Sequence, residues 1–190
     1  MMVIRVIFSN HLIHGGVRLH VYISLLFDSM LTHGFVPSDL LLSTLVPIPK
    51  NKRKSLNVSD NYRAIALSSV LGKLLDNILL DKCCSVFARS DLQFGFKKKH
   101  STSHCTFVVD EVLQYYNNNN SNVYLALLDA SRAFDRVEYV KLFNLLVSKG
   151  ICPVIARFLV VPYTNQTVRV RWGNSMSTTF SVSNGVKQGG

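Results

Sequence analysis

Residues 124–137 read YLALLDASRAFDRV, and this stretch decides how the rest of the chain is interpreted. The apolar run at 123–128 has the length of a buried β-strand, and Asp129 follows directly at its end. An amphipathic pattern over 132–148 then predicts a helix that ends at Gly150, with Pro153 beyond it as a stop signal. The stretch therefore predicts a strand, a turn that carries a carboxylate, and a helix.

Asp129 has more than one interpretation from its position alone. A carboxylate at the end of a buried strand is a common ligand of Mg²⁺, a hard cation that prefers oxygen. An aspartate before a helix is also a common N-cap, and the spacing by itself favours this structural role. Phosphatases of the haloacid dehalogenase type also place an aspartate after such a strand. They usually carry a second one two residues on, where this chain has Ser131.

The regions on either side of this stretch mix helices and strands. Periodic apolar residues predict helices and strands as follows: helices over 17–33, 68–87 and 103–116, and strands over 40–48, 167–172 and 178–182. Gly34 ends the first helix, and Gly173-Asn174 is the turn signal between the last two strands. The asparagine run at 117–120 is a polar loop between two parts of the chain. Because helices and strands do not alternate regularly, the fold class is α+β.

The chain is basic, with 21 lysines and arginines against 11 acidic residues and a net charge of +10. Such a balance favours a polyanionic partner, although an unrelated basic protein is about as compatible with charge alone. Two clusters sharpen the prediction, one at 50–54 and one at 97–99, the second directly after Phe94 and Phe96. Cations beside aromatic rings suit nucleic acid, whose phosphates need charge and whose bases stack.

Cysteine usage and hydropathy indicate an intracellular chain, nuclear or cytoplasmic. The four cysteines, Cys83, Cys84, Cys105 and Cys152, form no CxxC pair and predict reduced thiols. His100 and His104 follow two of them at a spacing only faintly like a zinc finger, so zinc is not expected. No apolar run approaches the roughly 20 residues of a membrane span, and the first eight residues do not form a signal peptide.

Four segments, in order along the chain, resemble the motifs of LINE-type reverse transcriptases, the enzymes of non-LTR retrotransposons. Residues 46–50 (VPIPK) with 61–67 (NYRAIAL) resemble the first fingers motif. Residues 93–96 (QFGF), followed by HST at 100–102, resemble the second. Residues 124–137 resemble motif A, and NGVKQGG at 184–190 resembles the opening of motif B. One such motif would be weak evidence, but the ordered set is specific.

The resemblance implies the fingers and partial palm of a right-hand polymerase fold, with fingers at 1–118 and the start of the palm at 119–190. It also implies roles for six residues. Asp129 would bind the catalytic metal ions beside the carbonyl of Ala130. Phe134 would lie under the sugar of the incoming nucleotide and exclude a 2′-hydroxyl, although a core aromatic is the simpler interpretation. Lys50 and Arg63 would contact the triphosphate, and Gln188 would lie against nucleotide and template. Asp135 is expected to be structural, paired with Arg132 or Arg136.

The implied cofactor is Mg²⁺, and the implied partners are an RNA template, a DNA primer and deoxynucleoside triphosphates, with no membrane and no specific protein partner. Two residues depart from the family pattern: Ala64 replaces a usual proline, and Pro162 replaces a usual aromatic. No Tyr-x-Asp-Asp motif occurs in the 190 residues, so the chain is expected to be inactive alone. A non-catalytic basic nucleic-acid-binding module and a non-functional relic of a mobile element are the alternatives.

Overall fold

The computed structural model describes residues 8–51, 53, 55–87, 90–97 and 99–189. The chain divides into two compact units, which are treated separately below. The first unit comprises residues 1–86 and 132–190, and the second unit comprises residues 87–131. Helices and a mixed sheet are both present, so the predicted α+β class is confirmed.

The elements run in the following order: α1 Ser9–His14, α2 Gly16–His33, α3 Ser38–Leu41, β1 Leu42–Pro49, β2 Tyr62–Leu67, α4 Val70–Lys82, α5 Thr102–Asn118, α6 Tyr139–Ser148, α7 Pro153–Thr164, β3 Thr167–Trp172, β4 Ser175–Met176 and β5 Phe180–Ser181. A 3₁₀ turn, Ser59–Asn61, precedes β2. No helix of the described residues is long and apolar enough to cross a membrane.

The core of the first unit is built from α2, α4 and α7. Their apolar stripes meet, together with Val36 of the loop after α2, in a cluster of Ile23, Phe27, Met30, Leu71, Leu75, Leu79 and Phe158. Gly34 ends α2 as predicted, because its φ of 62° is the left-handed conformation that lets its N–H bond back to the carbonyl of Met30. Ser69 caps α4, accepting a hydrogen bond from the N–H of Gly72 at 3.0 Å.

The sheet of the first unit has the strand order β2-β1-β3-β4, and β5 also pairs with β3. β1 runs antiparallel to β2, with Val46 opposite Ile65, and parallel to β3, with Leu45 opposite Val170. The predicted turn at Gly173-Asn174 is confirmed, and β3 returns through it into β4. The second strand, predicted over 178–182, is divided: β4 lies before that range, and β5, which lies within it, also pairs with β3. Gly173 has a φ of 58°, which the first position of a two-residue II′ turn requires.

Two prolines explain why β1 pairs with β3 over only part of its length. The backbone N–H of Lys50 bonds to the carbonyl of Asn61 at 2.8 Å, so even-numbered residues of β1 point their backbone groups at β2. Odd-numbered residues therefore face β3, where Pro47 and Pro49 have no N–H to donate. The β1–β2 ladder continues to Pro49, while the β1–β3 ladder ends at Leu45.

Two expectations about elements were wrong. Residues 121–130 contain neither helix nor strand, so the strand predicted at 123–128 is absent. A strand exists only where a neighbour completes its backbone hydrogen bonds, and an apolar run does not supply that neighbour. The helix predicted from 132 begins at Tyr139, because residues 131–136 form turns instead. The strand β2 and the helix α7 were not predicted.

The second unit contains α5, which is longer than its predicted span of 103–116. Its apolar face does not form a core, since no residue of α5 is buried. Val109 and Leu113 are only half-buried, and Val108 and Val112 are exposed. The hydrophobic period thus specified the helix correctly but not the burial of its face.

Candidate functional site

Lys50 and Arg63 lie at the β1–β2 end of the first unit. The Lys50 ammonium donates to the backbone carbonyl of Asp60 at 2.8 Å, which holds this exposed side chain against the 3₁₀ turn. Arg63 is exposed on β2 and pairs across the ladder with Ile48. Both cations are therefore available to an anion, and Lys50 is preoriented by a neutral acceptor rather than neutralised by a carboxylate.

The Asp60 carboxylate connects this end to the segment after residue 131. Asp60 Oδ1 lies 2.7 Å from Arg132 Nη2. Arg132 has a φ of 53° and begins a turn. Its carbonyl accepts a hydrogen bond from the N–H of Asp135 at 3.1 Å. The expectation that Asp135 pairs with Arg132 or Arg136 was wrong: none of the ion pairs among the described residues includes Asp135. The carboxylate of Asp60 reaches the Arg132 guanidinium instead.

The turn that carries Phe134 is bonded to the segment 184–189. The carbonyl of Phe134 accepts from the N–H of Val186 at 2.8 Å, and the carbonyl of Val137 accepts from Gly185 at the same distance. Gly185 is buried, and its φ is 81°. A Cβ there would lie 3.1 Å from the carbonyl oxygens of Phe134 and Asp135, so only glycine permits this close approach.

Gln188 joins the same segment to the sheet. Its carbonyl accepts from the N–H of Ala66 at 2.8 Å, and it forms a parallel bridge with Ile65 of β2. Gly189 follows with a φ of 78°, and a Cβ there would lie 3.1 Å from the Ile65 side chain. The first unit thus links Lys50, Arg63, Phe134 and Gln188 through adjoining strands, turns and backbone hydrogen bonds.

Asp129 and Ala130 belong to the second unit and lie on its segment without helix or strand. Both are exposed, and the preceding Leu128 is 99% exposed. The expectation of a carboxylate at the end of a buried strand was therefore wrong. The cap interpretation also lacks support, because the next helix, α6, starts only at Tyr139.

The donors near Asp129 fit part of a magnesium shell. The Asp129 carboxylate and the Ala130 carbonyl are hard oxygen ligands of the kind that Mg²⁺ prefers. Within the described ranges, no group of three or more His, Cys, Asp or Glu side chains could hold a metal ion. Water and substrate phosphates commonly supply the remaining ligands of Mg²⁺, so a single carboxylate is compatible with such a site but does not complete it.

Comparison with known proteins identifies the family of the chain. The model of the family described as reverse transcriptase (RNA-dependent DNA polymerase) matches residues 48–190, which is most of the chain. The chain belongs to the reverse transcriptase family. Members of this family act on nucleic-acid templates and generally use divalent metal ions.

Similar proteins come from mobile elements of Drosophila melanogaster. The RNA-directed DNA polymerase from mobile element jockey is 29% identical over 174 residues, which cover 88% of this chain and 19% of that protein. The probable RNA-directed DNA polymerase from transposon BS is 26% identical over 186 residues, covering 91% and 19%. The retrovirus-related Pol polyprotein from type-2 retrotransposable element R2DM is 26% identical over 156 residues, covering 82% and 15%. The chain therefore spans less than a fifth of the length of these curated relatives.

The assignment to reverse transcriptases of the non-LTR retrotransposon type, predicted from four ordered motifs, is confirmed by these matches. The matched range includes Lys50, Arg63, Asp129, Ala130, Phe134 and Gln188. The roles of these six residues in this reverse transcriptase segment stay predictions.

Sequence reasoning missed a pair of opposite charges in the first unit. Asp76 on α4 and Lys187, next to Gln188, line a cavity of about 280 Å³. Desolvation raises the pKa of the Asp76 carboxyl, a rise that the Lys187 charge opposes. Desolvation lowers the pKa of the Lys187 ammonium, and the Asp76 charge opposes that fall. Each group thus makes the charged form of the other less unfavourable.

Tyr163 lines the same cavity, and burial raises the pKa of its hydroxyl, with Asp76 and Tyr139 adding to the rise. Gln166 donates a hydrogen bond to the Tyr139 hydroxyl beside it. The segment 184–189 therefore packs on a polar patch inside the first unit. No pattern in the sequence could reveal this patch, since its members come from α4, α6, α7 and the last segment.

Proposed function

We propose that this chain is the nucleotide-binding part of an RNA-directed DNA polymerase from a non-LTR retrotransposon. Residues 1–118 belong to the fingers and residues 119–190 to the start of the palm of a right-hand polymerase fold. The reaction is the addition of a deoxynucleoside triphosphate to a DNA primer on an RNA template. The family membership supports this proposal, and so does the similarity to the jockey RNA-directed DNA polymerase and the probable RNA-directed DNA polymerase of transposon BS.

The single observation that carries the proposal is the way the first unit joins separate motifs. In the first fingers motif, Lys50 donates a hydrogen bond to the carbonyl of Asp60, and the Asp60 carboxylate pairs with Arg132 of the motif A turn. The motif A turn reaches motif B through the hydrogen bond between Phe134 and Val186, and motif B returns to the fingers strand β2 through Gln188 and Ala66. Segments far apart in sequence thus adjoin where one nucleotide could contact several of them.

The residue types suit phosphoryl transfer, in which catalysis consists mainly of positioning and charge neutralisation. Lys50 and Arg63 bind the triphosphate as exposed cations, and Lys50 is held in place by the Asp60 carbonyl. The half-buried Phe134 restricts the sugar, and Gln188 lies beside the nucleotide and template. Asp129, with the Ala130 carbonyl, would hold Mg²⁺, and the bound ion would supply positive charge to the attacking and leaving oxygens.

The test is a hybrid polymerase in which residues 48–190 replace the matching segment of the jockey polymerase. Asp129→Asn should abolish primer extension on an RNA template while leaving template affinity nearly unchanged, because the amide keeps the size but loses the charge that a metal ion needs. Asp135→Asn is the matched control and should retain most of the activity. Normal extension by the Asp129→Asn hybrid would contradict the assigned metal ligand.

Phe134→Val in the same hybrid tests the sugar contact. The smaller side chain should preserve extension with deoxynucleotides and admit ribonucleotides, since it leaves room for a 2′-hydroxyl. Incorporation of both sugars by gel assay gives the ratio directly. An unchanged ratio in an active hybrid would leave Phe134 with a packing role only.

A non-catalytic nucleic-acid-binding module is the second candidate. One observation favours it: Asp129 is exposed on a segment that no helix or strand fixes. The hybrid with Asp129 intact separates the two candidates, because a binding module would retain template affinity and show no extension activity.

A further inference from the structure

Lys187 attaches its segment to the first unit through its side chain. The N–H of Val186 before it bonds to the carbonyl of Phe134, and the carbonyl of Gln188 after it accepts from the N–H of Ala66. Lys187 takes part in neither bond, and its half-buried side chain lines the cavity of about 280 Å³ described above. The placement of the Lys187 side chain therefore bears directly on the placement of Gln188.

The helix α4 presents one carboxylate to the same cavity. Helical side chains lean towards the N-terminus of their helix, so Asp76 lies over the turn that contains Gly72. Glycine has no side chain to occupy that space, and Gly72, Asp76 and Ser68 all line the cavity. Asp76 remains exposed to solvent. The helix thus directs a negative charge towards the cavity that Lys187 enters from the last segment.

Asp76 and Lys187 are the only charged residues among the described residues that line the cavity. They form no direct ion pair, since none of the ion pairs of the described residues joins them. Their attraction therefore acts across the cavity, beside the apolar side chains of Met30, Leu75 and Phe158, where water screens it less than on an open surface. Each charge opposes the shift that burial imposes on the pKa of the other.

We propose that Asp76 is a positioning residue of the polymerase: it holds Lys187 in the cavity and thereby fixes Gln188 beside the nucleotide and template. The inference rests on the proposed function, which assigns Gln188 to that place. Gln188 itself does not line the cavity, so Asp76 acts on it only through the backbone of Lys187. The competing role for Lys187 is a direct contact with the triphosphate, and that role does not require Asp76.

Amide hydrogen exchange in the 190-residue chain measures this attachment without any polymerase activity. The N–H of Ala66 is the reporter, because it bonds to the carbonyl of Gln188. Asp76→Asn should speed exchange at Ala66 by roughly fivefold or more, since it removes one of two coupled charges. Asp76→Glu keeps the charge and should retain most of the protection. Asp81→Asn lies on the same helix outside the cavity and should leave the exchange rate as in the parent.

Exchanging the two charges separates attraction from packing. Asp76→Lys and Lys187→Asp each place like charges at the cavity and should speed exchange at Ala66. The double variant restores opposite charges and should recover most of the protection. Far-ultraviolet circular dichroism and the melting temperature establish that each variant is folded as the parent is. Lys187→Arg, which keeps the positive charge and should retain protection, provides the test if the exchanged pair does not fold.

Steady-state kinetics test the consequence for the nucleotide. The hybrid polymerase for this test carries all 190 residues in place of the matching jockey segment, so that Met30 and the rest of the cavity are retained. Asp76→Asn should raise KM for the deoxynucleoside triphosphate by roughly fivefold with little change in kcat, because a displaced Gln188 weakens binding of the nucleotide. Asp81→Asn should leave both constants unchanged. A variant that merely folds poorly lowers the active fraction, and hence kcat, at constant KM.

Three results would overturn the inference. Unchanged exchange at Ala66 in Asp76→Asn would exclude the attachment, while an active hybrid would leave the proposed function standing. A raised KM in Lys187→Met, together with the parental KM in Asp76→Asn, would assign Lys187 to the triphosphate. A hybrid that shows no extension with Asp76 intact would contradict the proposed function and remove the positioning role with it, and exchange at Ala66 would then report only on the attachment of Lys187.

Discussion

The two units of this chain differ in how far their apolar side chains are buried. In the first unit Met30 and Phe158 are 1% and 3% exposed, inside a core of helices next to a sheet. In the second unit Phe107 and Leu128 are 62% and 99% exposed, and none of its described residues is buried. Both parts carry clear hydrophobic patterns in the sequence. The difference shows that a hydrophobic pattern specifies a local helix or strand, while the burial of its apolar face depends on whether other segments pack against it.

Phenylalanine truncation should give the largest contrast between the units. Phe158→Ala removes a buried ring from the core of the first unit and should lower the free energy of unfolding by about 3–5 kcal/mol. Phe107→Ala removes the same group from the exposed surface of α5 and should change it by no more than about 0.5 kcal/mol. Chemical denaturation followed by circular dichroism measures both. Equal losses would mean that α5 is packed in solution.

Glycine replacement should give the next largest contrast. Gly185→Ala forces a residue with a side chain into a φ of 81° and places its Cβ against the backbone of Phe134 and Asp135, so it should destabilise the first unit by about 1–3 kcal/mol or more. Gly95→Ala in the second unit meets no atom within 4 Å and has no left-handed φ, so it is the matched control. Thermal melting compares them. A neutral Gly185→Ala would show that the segment 184–189 is not held against the motif A turn.

The sequence predicted those elements whose information is local. The helices α2 and α4, the strand β1 and the β3–β4 hairpin follow from apolar period, a glycine stop and a turn dipeptide. α7 escaped prediction because Pro153 was interpreted as a stop, although proline at the first helical position is compatible with a helix. β2 escaped because its short run has weak alternation and is fixed by pairing with β1.

The motifs supplied the residues of the candidate site, whose roles stay predictions, but they did not supply the arrangement of those residues. The motifs identified Lys50, Phe134 and Gln188, yet the partners that hold them in place come from distant segments. Arg132, for example, pairs with Asp60 and not with Asp135. Either carboxylate could neutralise the guanidinium, and the folded backbone determines which of them lies within reach. The strand expected at 123–128 failed for a related reason: its existence depends on a neighbouring strand, which its own residues do not encode.

The Asp76–Lys187 pair predicts a pH dependence that belongs to the first unit. The pKa of Asp76 is raised above 3.8 in the folded state, so the folded state binds more protons than the unfolded state. Stability should therefore fall as pH rises from 3.8 through the raised pKa of the folded state. With the pKa of Lys187 lowered below 10.5, the unfolded state binds more protons in that range, so stability should rise again as pH approaches 10.5.

Variants of the pair test this pH dependence against a control on the same helix. Asp76→Asn should remove the acid-side fall, and Asp76→Asn with Lys187→Met should flatten the profile at both ends and exceed either single variant in stability at neutral pH. Asp81→Asn changes the charge of α4 outside the cavity and should leave the profile as in the parent. Urea titrations across the pH range measure the profile. A double variant that is less stable than both singles would show that neither charge is costly to bury without the other, which would contradict this account of the pair.

The smallest expected effect on stability is that of replacing Arg132, where the chain returns from the second unit to the first. Arg132 is the first residue of that return, and its pair with Asp60 is exposed on both sides, so Arg132→Gln should cost at most about 1 kcal/mol. The loss should disappear in roughly 1 M salt, where the Debye length is only a few ångström. Arg136→Gln removes the same charge from a residue outside the described ion pairs and should be neutral at both salt concentrations. Urea denaturation at low and high salt compares the variants. A loss of several kcal/mol that persists in high salt would show that Arg132 anchors the return by packing, and the boundary between the two units would then be more tightly fixed than a surface ion pair can account for.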